Sequence, residues 1–180
     1  MRIGSLLDRF LDWRIRHIND QQFMILLGVV VGLSVGFSAV IIKNTVYLIE
    51  HLLTHNFSRD SFNYLYLVFP SIGILLAVVF SRFLLRKRIG HGVPSVLYAI
   101  SKMNGRIRSH NMFSSVVSAS LTVGFGGSVG LEGPTVATGA AIGSNLGRRL
   151  RLNQRQVISM LGFACAGAMA SIFKAPIAAI

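Results

Sequence analysis

The sequence predicts an all-α integral membrane protein in which tilted helices accompany broken, re-entrant ones. Hydrophobic residues make up 52% of the 180 residues and charged residues only 13%, with a mean hydropathy of +0.61. Two uncharged runs, Ile25 to Ile42 and Phe62 to Phe80, are long enough to span a bilayer. The later apolar segments are short and interrupted by glycine and proline, which is typical of broken helices around an ion site.

The basic residues are distributed in a way that orients the chain. The formal net charge is +12, but the lysines and arginines form short clusters between apolar segments, which argues against nucleic acid as a partner. The clusters lie at residues 2–16, 82–88, 102–108 and 148–155. The positive-inside rule predicts that these 15 of the 18 Lys and Arg are cytoplasmic. We therefore expect a multi-pass protein of the cell membrane with a cytoplasmic N-terminus.

The N-terminal segment, residues 1–20, differs from the rest of the chain. It alternates apolar and charged side chains and contains no continuous apolar core. This pattern predicts an amphipathic helix on the cytoplasmic membrane surface rather than a signal peptide, with a frayed soluble tail as the alternative. Residues 21–180 are expected to form the transmembrane domain in the lipid bilayer.

The first transmembrane helix should be longer than its uncharged run, because its helical periodicity continues to about Leu53. A helix of this length is expected to be tilted in the bilayer. Glycines recur along it at every fourth residue and predict a face for close helix packing. These are Gly28, Gly32 and Gly36. The second span contains Pro70, where we expect a kink.

After the second span come two helices that we expect to be too short to cross a bilayer. The turn Gly90-His91-Gly92-Val93-Pro94 leads into the first, from about Ser95 to Met103. A long uncharged run, Asn111 to Leu131, ends in a glycine-rich loop, and the second short helix follows from Pro134 to Gly147. A small-residue face recurs on it at Gly139, Gly143 and Gly147. A further apolar helix is expected from Val157 to Phe173.

One carboxylate stands in the glycine-rich stretch from Gly124 to Gly147, which holds eight of the eighteen glycines. Glu132 is the only Asp or Glu after Asp60, and apolar segments flank it on both sides. An ionisable group at membrane depth is costly and marks a functional site by default. Helix starts at Pro94 and Pro134 present free N–H groups and a positive dipole end, which attract anions. The residues predict an anion site beside Glu132; the alternative is that the glycines only permit tight packing.

Three motifs resemble those of the CLC family of chloride channels and proton/chloride antiporters. Gly130-Leu131-Glu132-Gly133-Pro134 is similar to that family's G-(K/R)-E-G-P motif, and Gly90-His91-Gly92-Val93-Pro94 is similar to its G-S-G-I-P motif. Phe173-Lys174-Ala175-Pro176 is similar to its F-N-A-P stretch. The resemblance covers the chain after about residue 20 and implies the CLC fold, with about one of its two inverted repeats, and a homodimer in the complete protein. Because the chain stops inside an apolar helix, we expect a truncated piece that forms no complete pore alone.

The resemblance also implies a function and the residues that carry it. It implies anion transport, with chloride as the ligand, by a voltage- or proton-gated channel or a proton-coupled antiporter, and no enzymatic activity, cofactor or metal. Glu132 would be the gating glutamate and proton acceptor. The anion would contact two segments: Gly90, His91, Gly92, Val93 and Pro94, and Gly130, Leu131, Gly133, Pro134 and Thr135.

Departures from the family motifs leave two alternatives. His91 stands where that family usually has serine, Leu131 where it has a basic residue, and Lys174 where it has asparagine. An imidazole can donate one hydrogen bond when neutral and adds positive charge when protonated, so fluoride or nitrate is the alternative to chloride. A membrane interaction module without transport is the alternative from another functional class.

Overall fold

The computed structural model describes residues 19–55, 65–85 and 92–179. Every regular element in these ranges is helical, which confirms the all-α prediction for them. The six α-helices there are α1 Asp20–His55, α2 Leu65–Val79, α3 Gly92–Lys102, α4 Asn111–Gly124, α5 Glu132–Arg149 and α6 Gln154–Phe173. A π-helical turn, Phe80–Leu85, continues α2, and a 3-10 turn covers Ile177–Ala179. The amphipathic helix was predicted at residues 1–20, and residues 1–18 of it lie outside the described ranges.

Helix α1 runs for 36 residues and buries one apolar stripe. The buried side chains recur at intervals of three or four residues, the spacing of one helix face. They are Phe23, Leu27, Val31, Val35, Ala39 and Ile42. The outer face exposes large apolar side chains, such as Ile25 at 69% and Leu33 at 72%, as a lipid-facing helix does. The predicted continuation to about Leu53 is confirmed, while the tilt stays a prediction.

The glycine face predicted on α1 is not its main packing face. A Cβ placed on Gly36 would meet no described atom within 4 Å, and the same holds for Gly32. From the other side, a Cβ on Gly167 of α6 would stand 3.4 Å from the Cα of Gly32 and 3.9 Å from its carbonyl oxygen, and Gly28 lies at ordinary contact distance from the Phe163 ring. The prediction is confirmed for Gly28 and Gly32, which contact α6, and is wrong for Gly36, because the glycines stand beside the buried apolar stripe at the edge of the interface.

The glycine face predicted on α5 packs tightly against α6, which confirms that prediction. A Cβ on Gly143 would stand 2.6 Å from the carbonyl oxygen of Met160 and 2.9 Å from the Cβ of Ala164. A Cβ on Gly139 would stand 2.9 Å from the Ala164 carbonyl oxygen. Because two of these neighbours are backbone atoms, they cannot rotate away, and only glycine permits this helix separation.

The core lies where α1, α5 and α6 meet. Side chains of α5 and α6 fill it together with the buried stripe of α1. Those of α6 are Val157, Met160, Leu161, Ala164 and Ala168. Helix α4 contacts α1, α2 and α5, and α3 rests on α5. This arrangement places the N-terminus of α5 among α3 and α4, which is where the candidate site forms.

The bounds of the two short helices differ from those predicted. Helix α3 begins at Gly92 rather than Ser95, and its 11 residues extend for about 16 Å, too short to cross a bilayer. Helix α5 begins at Glu132 and ends at Arg149, so its 18 residues extend for about 27 Å. It is thus longer than predicted and reaches the lower end of spanning length. Pro70 lies inside α2, and its kink stays a prediction.

Candidate anion-binding site

The N-termini of α3 and α5 meet at a pair of glycines. The Cα of Gly133 lies 3.6 Å from the Cβ position of Gly92, and the reverse distance is 3.5 Å. Gly92 also has a φ of +54°, in the left-handed region that favours glycine. A side chain at Gly92 would be strained by this φ, and the short Gly92–Gly133 separation brings two positive dipole ends close to one another.

A cleft of about 550 Å³ opens beside these helix starts. Five of the predicted anion-contacting residues line it: Gly92, Pro94, Gly130, Gly133 and Pro134. The N–H group of Gly133 belongs to the first turn of α5, where no intrahelical carbonyl is available, so it is free to bind an anion. The structure therefore brings together residues from two motifs that lie about 40 positions apart in the sequence.

The other predicted contacts are placed differently. Leu131, Val93 and Thr135 are not among the lining residues of the cleft. Thr135 is buried, and both its N–H (3.0 Å) and its hydroxyl (2.8 Å) donate to the Leu131 carbonyl. A contact between the Thr135 N–H and an anion would require this hydrogen bond to open. Gly90 and His91 lie outside the described residues.

Glu132 is the first residue of α5, and its carboxylate folds back over the loop that precedes the helix. Its Oε2 atom lies 2.8 Å from the Cβ position of Gly130, which lines the cleft. The missing side chain of Gly130 therefore leaves room for the carboxylate at the edge of the cleft. The positive end of the α5 dipole stabilises a negative group there. Glu132 is exposed among the described residues.

The glycine-rich loop that delivers Glu132 is fixed by close backbone contacts. Gly126 has a φ of +86°, and the Gly127 N–H donates to the Thr122 carbonyl at 2.9 Å. A Cβ on Gly127 would stand only 2.6 Å from that same oxygen. On the other side, a Cβ on Gly73 would stand 2.5 Å from the Cβ of Phe125, so α2 braces the start of the loop.

Hydroxyl side chains of α4 also line the cleft, and sequence reasoning missed them. Ser115, Ser118 and Thr122 stand three and four residues apart on one helix face. Ser115 is only 5% exposed, and its hydroxyl has no hydrogen-bond partner within the described residues. A buried hydroxyl normally has a hydrogen-bond partner. This one faces a cleft in which an anion can accept a hydrogen bond from it. The signal in the sequence was helical spacing of polar residues in an uncharged run.

Comparison with known proteins assigns the chain to a family. The family model described as voltage gated chloride channel matches residues 72–180, which include both helix starts and Glu132. The chain belongs to this family. The resemblance noted in the motifs is thereby confirmed, and members of the voltage gated chloride channel family are membrane-embedded channels or transporters.

A curated relative from this family extends the match toward the N-terminus. Chloride channel protein CLC-e of Arabidopsis thaliana is 26% identical over 175 residues, covering 88% of this chain and 23% of the relative. The chain thus spans about a quarter of the length of that relative. Two described helices, over Asp20–Leu53 and Gln154–Phe173, are long and apolar enough to cross a membrane, in keeping with a voltage gated chloride channel.

Proposed function

We propose that the protein transports an anion, chloride, across the membrane, with Glu132 as the gate. The observation that carries the proposal is the meeting of two helix N-termini at Gly92 and Gly133 beside a cleft. Converging helix starts present free N–H groups and positive dipole ends to one point. The motifs at these positions and the membership of the voltage gated chloride channel family support the same function.

The chemistry of the cleft suits a monovalent anion that must also leave. Its lining contains N–H and hydroxyl donors, and no lysine or arginine of the described residues is among them. Partial charges attract an anion less strongly than a full cationic side chain, and conduction requires binding weak enough for release. Fluoride and nitrate use the same donors, so ion preference depends on cleft dimensions and on His91.

The gate follows from the position of Glu132 at the edge of the cleft. When ionised, its carboxylate competes with the anion for the N–H groups at the start of α5. When protonated, it loses that attraction and swings away, which opens the path. A channel uses this step only to open, whereas a proton-coupled antiporter also carries the proton across. The chain crosses the membrane several times with its N-terminus in the cytoplasm, and the complete protein is a homodimer.

The experiment compares Glu132→Gln with Glu50→Gln in protein expressed from the complete gene and reconstituted in liposomes. Gln mimics the protonated carboxyl, so Glu132→Gln should conduct chloride without response to external pH and without coupled protons. Glu50 is an exposed carboxylate near the end of α1, and its neutralisation should leave both properties as in the wild type. Chloride efflux and proton uptake are recorded together.

Two results bear against the proposal. If Glu132→Gln keeps wild-type pH dependence and coupling, Glu132 is a structural residue and not a gate. If the wild type gives no flux of chloride, fluoride or nitrate, the protein is a membrane module without transport. Proton uptake in the wild type that disappears in Glu132→Gln identifies an antiporter.

A further inference from the structure

A second recess lies at the far end of α5 from the anion cleft and is separate from it. It is a groove of about 570 Å³ between α1, the start of α4 and the last turns of α5. One part of its wall is apolar, from Val30, Met112, Ile142 and Leu146. The other part is polar and includes Ser109, Arg148 and Arg149. A groove with an apolar part and two guanidinium groups is amphipathic, as a phospholipid is.

The two arginines are available to a ligand. Both side chains are exposed, and within the described part of the chain neither forms an ion pair or a hydrogen bond through its side chain. Guanidinium groups bind phosphate through paired N–H donors in a planar fork. Arg106 lies close by, because it lines an adjoining polar recess together with Arg148. The local charge is therefore positive and selects an anionic group.

The polar floor of the groove is held rigidly by one asparagine. The Ser109 hydroxyl donates to the Asn145 Oδ1 at 2.7 Å, and the Asn145 Nδ2 donates to the carbonyls of Ala141 (2.7 Å) and Ile107 (3.3 Å). The neighbouring Ser144 hydroxyl donates to the Gly105 carbonyl at 2.6 Å. These bonds fasten the turn before α4 onto α5, so the groove exists before a ligand arrives.

The position of the groove along the helices suits a lipid rather than a soluble ligand. Gly139 of α5 packs beside Val35 of α1, and Arg149 lies ten residues further along α5, about 15 Å away. Val30 lines the apolar part and stands on a face of α1 that also exposes Val29 and Leu33. The apolar part thus opens toward the lipid-facing side of α1, and the arginines stand where a headgroup would lie.

We propose that this groove binds one anionic phospholipid. Its phosphate contacts Arg148 and Arg149, and one acyl chain lies along Val30, Ile142 and Leu146. Basic pockets between transmembrane helices are suited to anionic headgroups, and each arginine near the surface adds to the attraction. A lipid bound here joins α1, α4 and α5 and stabilises their packing.

The experiment measures lipid retention by native mass spectrometry on protein expressed from the complete gene. Detergent-solubilised protein is equilibrated with phosphatidylglycerol or phosphatidylcholine, both with dioleoyl chains. We expect wild-type protein to retain phosphatidylglycerol in preference to phosphatidylcholine, and Arg148→Gln/Arg149→Gln to lower that retention about thirtyfold. The control Lys102→Gln/Arg155→Gln removes the same charge from exposed positions outside the groove and should retain lipid as the wild type does.

Two further measurements distinguish a lipid seated in the groove from attraction of a headgroup to the arginines alone. Val30→Trp fills the apolar part while leaving both arginines, so it should also lower phosphatidylglycerol retention. Glycerol 3-phosphate, the headgroup without chains, should fail to displace the lipid. Equal retention by the arginine variant and its control, or full displacement by glycerol 3-phosphate, would overturn the proposal. Thermal melting of each variant without added lipid shows that all of them are folded.

Discussion

At the scale of single residues, two adjacent serines on α4 allow the anion site to be tested directly. Ser115 lines the cleft, whereas Ser114, which is 1% exposed, does not. Both hydroxyls are buried and lack a hydrogen-bond partner within the described ranges. The two side chains therefore differ in what they face and hardly in burial, which makes one the matched control of the other.

We predict that Ser115→Ala weakens chloride binding and that Ser114→Ala does not. A hydrogen bond to a charged group contributes about 1.5–3 kcal/mol, so loss of the Ser115 donor should raise the chloride Kd about tenfold or more. Isothermal titration of the reconstituted protein gives both constants, and thermal melting shows whether either variant is less stable. Equal chloride affinity of the two variants would remove Ser115 from the site.

The same residues show which parts of the site the sequence could predict. Glu132 was identifiable because a lone carboxylate between apolar segments has few structural roles. Ser115 was not, because hydroxyls satisfy themselves within helices and occur on any face. Which serine of α4 faces the cleft depends on the rotation of α4 relative to α5, and no local pattern encodes that angle. The exposure of Glu132 likewise depends on what covers it, which its neighbours in the chain do not reveal.

At the scale of helices, two glycine stripes with the same spacing behave differently. Gly143 of α5 faces the Met160 carbonyl of α6, while Gly36 of α1 faces open space among the described residues. Helix α1 has a neighbouring stripe of larger apolar side chains, and these make more van der Waals contacts with the core than glycines can. Helix α5 offers mainly Gly, Ala, Ser and Thr, so it packs only through close backbone approach.

We predict opposite effects of alanine at these two glycines. Gly143→Ala would place its Cβ 2.6 Å from the Met160 oxygen, and such overpacking lowers stability by about 1–3 kcal/mol. Gly36→Ala should be neutral or raise stability by up to about 1 kcal/mol, because alanine favours a helix and meets no clash. Denaturation of detergent-solubilised protein measures both changes. A Gly143→Ala variant as stable as the wild type would mean that α5 and α6 can separate at little cost.

At the scale of the whole molecule, the sequence predicted the elements better than their arrangement. The apolar runs and basic clusters located the helices, because length and hydropathy act locally. The contact between Gly92 and Gly133 joins segments about 40 residues apart and depends on α4 returning the chain to α3. The groove beside Arg148 and Arg149 depends on three helices at once. Such features arise from the packing of helix faces against one another, and no single segment of the sequence predicts them.

The orientation predicted from the basic clusters can be tested at positions near opposite ends of the molecule. The Lys43 ammonium donates to the Ser171 carbonyl, so the C-terminal end of α6 lies beside the middle of α1. Glu50 lies beyond that contact on α1, whereas Arg155 lies in the first turn of α6, at the opposite end. If the basic clusters are cytoplasmic, Glu50 lies outside and Arg155 inside.

We predict that a membrane-impermeant maleimide labels Glu50→Cys in intact cells but labels Arg155→Cys only after permeabilisation. The background carries Cys165→Ala, because Cys165 is the one cysteine among these 180 residues. From Asp20 to Glu50, α1 extends for about 45 Å, which exceeds the hydrocarbon thickness of about 30 Å. If α1 crosses the membrane, Asp20 and Glu50 therefore lie on opposite sides of it. Labelling of Arg155→Cys in intact cells would invert the topology, and it would move Arg148 and Arg149 to the outer leaflet, where anionic lipids are scarcer.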